Sequence, residues 1–147
     1  MDNIETLNKF LKDELSATET YQQALDKLQD HADLGGSESL MPLHEAHQEA
    51  VSSLQALIQR LGGTPCENSG TWGTWAKIVQ GGANMLGTKA ALKALQSGEK
   101  SGAEDYEKAL EDTELPSDIR SLIETSLLPA QRSHINTLEQ LLDVETV

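Results

Sequence analysis

Two stretches of this chain repeat each other. Glu14 to Leu25 reads ELSATETYQQAL, and Glu99 to Leu110 reads EKSGAEDYEKAL. They share Glu14/Glu99, Ser16/Ser101, Glu19/Glu104, Tyr21/Tyr106, Ala24/Ala109 and Leu25/Leu110. A second echo follows in the same order: Pro42, His44 and His47 match Pro129, Gln131 and His134 as P-x-[HQ]-x-x-H. Matched pairs in matched order predict a duplicated helical hairpin. Two copies are too few for a stacked solenoid, so the expectation is a single closed four-helix bundle.

Composition supports helices. Long runs of Ala, Leu, Glu, Gln and Lys are strong helix formers, while proline is held to four residues and aromatics to 3%. A chain of 147 residues fits one domain with a worthwhile core. The first hairpin is expected over 3–61, a long connection over 62–87, and the second hairpin over 88–143.

Apolar seams place the helices. Ile4, Leu7, Leu11, Glu14, Thr18, Tyr21, Leu25 and Leu28 step by three and four along the first helix, so all lie on one face. Leu40, His44, His47, Val51, Leu54, Ile58 and Leu61 do the same in the second. Ser37 or Ser39 is a cap candidate at its start, Pro42 falls in or near its first turns, and Gly62-Gly63 with Pro65 should stop it. The third seam is Leu92, Leu95, Glu99, Gly102, Tyr106 and Ala109, opening at Thr88. The fourth is Ile123, Leu127, Gln131, His134, Leu138 and Leu141, capped by Ser117. Pro129 lies inside it and should kink or bulge the helix before His134.

Loop lengths select the topology. Short turns, around residues 30–37 and 113–116, make each helix pair antiparallel. A helix of about 25 residues spans roughly 37 Å, which the long connection can cover. Helices two and three can then run parallel, as in a bundle with one long crossover. The crossover carries Trp72 and Trp75 on one face of a short helix, where they would pin it to the bundle.

Charge narrows the partners. With 24 acidic against 11 basic residues the net charge is −13, which repels phosphate backbones and anionic lipid. Nucleic acid and membrane surfaces are therefore not expected partners, and a homodimer through the crossover is an option. The lone Cys66 reads as a reduced loop thiol. No signal-peptide core or spanning apolar run is seen, so a cytoplasmic protein is expected. No phosphate loop, dinucleotide fingerprint, C-x-x-C or nucleophile elbow is present, and no catalytic residue is assigned.

Chemistry concentrates where polar residues interrupt the seams: Glu14, His44, His47, Glu99, Gln131 and His134. Buried carboxylates and imidazoles need partners. A transition metal would satisfy both types at once, and His44 with His47, three apart, point to one side of their helix. A hydrogen-bonded ion-pair cluster without metal fits the same pattern. Tyr21 and Tyr106, each seven residues after a seam glutamate, read as core tyrosines with a satisfied hydroxyl.

The helix placements, with LNKFLKDELSATETYQQAL, LQALIQRLGG, the Trp-bearing crossover and LQSGEKSGAEDYEKAL, resemble a small bacterial ferritin-like family of unknown function within the ferritin and rubrerythrin superfamily. That resemblance implies an all-α, ferritin-like four-helix bundle. It implies Glu14 and Glu99 as ligands from helices one and three, and His47 and His134 as the histidines of two E-x-x-H pairs. Where those pairs have glutamate, this chain has His44 and Gln131. An imidazole cannot bridge two metals as a carboxylate does, and a neutral amide is a poor ligand. A single ion, iron or zinc, held by some of Glu14, His44, His47, Glu99 and His134 is the resulting expectation. The resemblance further implies a link to iron or oxidative-stress handling and, for any enzymatic activity, a metal-dependent oxidoreductase.

Overall fold

A computed structural model describes residues 3–28, 36–67 and 88–145. All regular structure among them is helical: α1 (Asn3–Leu28), α2 (Gly36–Arg60), α3 (Thr88–Leu110), α4 (Ser117–Leu122), a π turn (Ile123–Leu127) and α5 (Leu128–Glu145). The four predicted helices are thus present as two hairpins, α1/α2 and α3/α4–α5. The chain divides into two compact units, Met1–Ala91 and Leu92–Val147. The first inter-helix turn with His31, and the crossover with both tryptophans and its expected short helix, lie outside the described residues.

In the first unit, α1 buries a face wider than the predicted stripe. Leu7, Leu11, Tyr21 and Leu25 are joined inside by Phe10, Ala17 and Ala24. Thr18 stands on the seam at little cost because its hydroxyl donates to the Glu14 carbonyl at 2.9 Å. On α2, Leu40, Leu43, Leu54, Leu57 and Ile58 are buried, while Leu61, expected inside, is 41% exposed. Pro42 lies inside α2, in its second turn and exposed.

The glycine stop behaves as its chemistry requires. Gly62 has φ +86°, the Gly62 N–H donates to the Gln59 carbonyl at 3.0 Å, and the Gly63 N–H donates to the Ile58 carbonyl at 2.9 Å. This is the paired closure of a helix whose next residue turns left-handed. Beyond it, Asn8 ties the chain back to α1. Its amide donates to the Thr64 carbonyl at 3.1 Å, and its carbonyl oxygen accepts the Cys66 N–H at 2.8 Å.

In the second unit, α3 buries Leu92, Ala94, Leu95, Ala103 and Tyr106. Its last carbonyls are satisfied from across the turn. The Arg120 guanidinium donates to Leu110 O at 3.1 Å and to Asp112 O at 2.6 Å. Ser117 is not the cap expected of it. Pro116 takes the N-cap position, with φ −56° and ψ 147° and no side-chain cap bond. Proline fixes that extended geometry by itself, so Ser117 becomes the first helical residue.

Pro129 has the predicted consequence, placed one turn earlier. The helix widens over Ile123–Leu127, and the Leu128 N–H reaches back to the Ile123 carbonyl. A proline ring collides with the carbonyl four residues before it, here that of Thr125. The wider turn moves that carbonyl aside, and Thr125 donates its hydroxyl to Ser121 O at 2.6 Å, a bond that itself bends helices. At the far end Leu142 is buried and Leu141 only half-buried.

Replacing Gly62 with alanine tests the α2 closure. No atom lies within 4 Å of the position of an added Cβ, so the loss is purely conformational, about 1 kcal/mol. In urea unfolding the midpoint falls while the slope is unchanged. Gly63→Ala fails differently, since its Cβ would meet two Ile4 carbons at 2.8 Å.

Candidate metal centre

Each unit brings one glutamate and one histidine together inside. In the first, Glu14 on α1 and His47 on α2 are 4% and 1% exposed. His47 Nδ1 lies 3.0 Å from Glu14 Oε1 and 3.0 Å from Oε2. The carboxylate can only accept, so the imidazole N–H donates. The ring's face is held as well: Tyr21 stacks on it with centroids 5.3 Å apart and planes at 30°. Tyr21, expected as a core residue, is thus in the core and against the site.

In the second unit, Glu99 on α3 and His134 on α5 are buried. His134 Nδ1 stands 3.4 Å from Glu99 Oε1 and 3.3 Å from Oε2. These contacts are longer than those in the first hairpin and beyond the usual N–H···O range.

The two remaining seam polar residues are Gln131 and His44. Gln131 is buried, and its amide donates to the Glu99 backbone carbonyl at 3.3 Å. Gly102 makes room for it, since a Cβ there would collide with Gln131 Nε2. The amide is therefore a clip between α3 and α5. His44, one turn before His47, is only half-buried. Burial holds its imidazole below the usual histidine range, the neighbouring His47 acts in the same direction, and Glu45 opposes both.

The sequence missed two polar contacts near these pairs. Gln96, off the seam, is buried and donates to Glu139 Oε2 at 2.5 Å. The Asn8 clamp carries no motif either. Burial pushes the Cys66 thiol up, with Lys12 and a backbone hydrogen bond opposing.

Each hairpin thus buries an imidazole with a carboxylate, His47 with Glu14 and His134 with Glu99. Imidazole nitrogen with carboxylate oxygen suits zinc and the divalent first-row metals, so the donors fit such an ion. The helical hairpins and their buried Glu–His pairs define a ferritin-like protein. Residues 2–112 match the family described as a domain of unknown function, DUF2383, and the chain belongs to that family. The match ends before α4, so Gln131 and His134 lie beyond it. No curated protein matches the chain. No helix among the described residues is long and apolar enough to cross a membrane.

The Gly102–Gln131 clip can be measured by a double-mutant cycle. Gly102→Ala adds about 1 kcal/mol of helix propensity but displaces an amide whose hydrogen bond contributes about 1 kcal/mol. The substitution should be near neutral alone and stabilising by about 1 kcal/mol in a Gln131→Ala background. Equal effects in both backgrounds, by urea unfolding, would remove the clip.

Proposed function

We propose that this protein binds one transition-metal ion, zinc or iron, through buried side chains among Glu14, His47, Glu99 and His134. The observation that carries the reading is that each hairpin buries a Glu–His pair at matching places in a duplicated sequence. Gln131 is occupied with a backbone carbonyl and His44 is half-buried, which favours a mononuclear site over a bridged pair of metals. We place the protein in the cytoplasm, without nucleic-acid or membrane partners and with a homodimer as its assembly. The resemblance to the ferritin and rubrerythrin superfamily supports a role in iron or oxidative-stress handling.

Protein purified without chelator should carry about one ion per chain by elemental analysis, because folding and metal binding are linked. His47→Ala and His134→Ala should each lower that content. Zinc at about 100 times its Kd should stabilise the protein by about 2.7 kcal/mol. Absence of iron, zinc, manganese and copper after reconstitution would overturn the reading. One observation favours the metal-free alternative, a structural or interaction module: the Glu14 carboxylate already satisfies His47. On that reading Glu14→Ala lowers stability while metal content stays at zero.

A further inference from the structure

We propose a separate metal site on the outer face of α2, formed by Met41 and His44 and suited to a soft monovalent ion, copper(I) or silver(I). It lies within the first unit and stands whether or not the buried Glu–His pairs hold an ion.

Spacing brings the two donors together. Met41 and His44 are three residues apart inside α2, which makes them neighbours on its surface, with Cβ atoms about 5–6 Å apart. Met41 is 51% exposed, and His44 is half-buried at the edge of the packed seam. A thioether at the end of three rotatable bonds can swing to an ion while the half-buried ring stays in place. The His44 ring makes no hydrogen bond or ion pair with a described residue, so no contact has to break when a cation arrives.

Both donors are neutral. Burial and the neighbouring His47 hold the His44 imidazole below the usual histidine range, against Glu45. One ring nitrogen therefore keeps its lone pair near neutral pH. Thioether sulfur selects copper(I) over hard divalent ions, and imidazole binds copper as well. A histidine beside carboxylates alone would suit zinc; the methionine is what moves the preference to a soft ion. The surroundings add negative charge. Glu38, three before Met41, and Glu45, four after it, are both exposed. α2 has no lysine or arginine before Arg60, so the helix brings no cation of its own to this face.

Silver(I) in chloride-free buffer is the probe, since it shares the ligand preferences of copper(I) without its oxidation. The full chain carries Cys66→Ser, because a thiol would take silver first. In carbon–proton NMR, silver should shift the Met41 methyl and the His44 ring signals along one binding curve. Met41→Leu should abolish the His44 shift, and His44→Gln the Met41 shift. Met41→Leu replaces an exposed side chain with one of similar size, so far-UV circular dichroism should stay unchanged. Zinc should leave the Met41 methyl where it is. A Met41 methyl that silver does not move, a His44 shift that survives Met41→Leu, or a zinc response at Met41 would each overturn the proposal.

Discussion

A buried carboxylate beside a buried imidazole is the constraint on which the first hairpin depends. Neither group tolerates the interior alone, and removing one partner would leave the other without its hydrogen bond at about 1–3 kcal/mol. The pair fixes the register of α1 against α2 more tightly than apolar contacts can, since a leucine can slide past another leucine. The Asn8 clamp acts in the same direction at the other end, holding residues 64–66 against α1. Between them the hairpin is pinned at two heights by polar contacts of fixed geometry.

Duplication explains why the second hairpin resembles the first, and packing explains where the two diverge. Both retain glutamate on the first helix and histidine on the second. At the position three residues before the histidine, the first copy has a half-buried imidazole and the second a buried amide. Gln131 can lie across α3 only because Gly102 has no side chain, so glycine and glutamine form one feature spread over two helices. Each looks anomalous alone: a glycine in mid-helix weakens it, and a buried amide without partners is costly.

Much of this was legible in the sequence because periodicity and repetition are strong signals. The helices, the glycine stop at Gly62 and the seam polar residues follow from spacing and residue type. What spacing cannot convey is the partner of each polar group. Glu14 reads as a ligand by position, and only the structure shows its carboxylate 3.0 Å from His47 Nδ1. Ser117 reads as a cap by type, yet Pro116 takes that place by its fixed dihedral angle. Gln96 and Asn8 gave no signal, since a polar residue beside a seam is ordinary and only its distance to Glu139 or Cys66 identifies it. Leu61 reads as core by period, but it lies where the chain leaves the helix and the period ends.

The widened turn before Pro129 shows how a local defect serves the site. Ile119, Ile123, Leu127 and Gln131 are all buried, and each is four residues after the last. In an α-helix of 3.6 residues per turn, every such step overshoots, and three in succession would carry the buried stripe far around the helix. A π turn takes up an extra residue, so it absorbs part of that overshoot. Ile119 and Ile123 can then face inward while Gln131 and His134 still meet α3. The proline that makes a regular helix unfavourable here thus lies next to the turn that brings the second Glu–His pair into register. A straight helix over the same residues would have to give up burial at one end or the other.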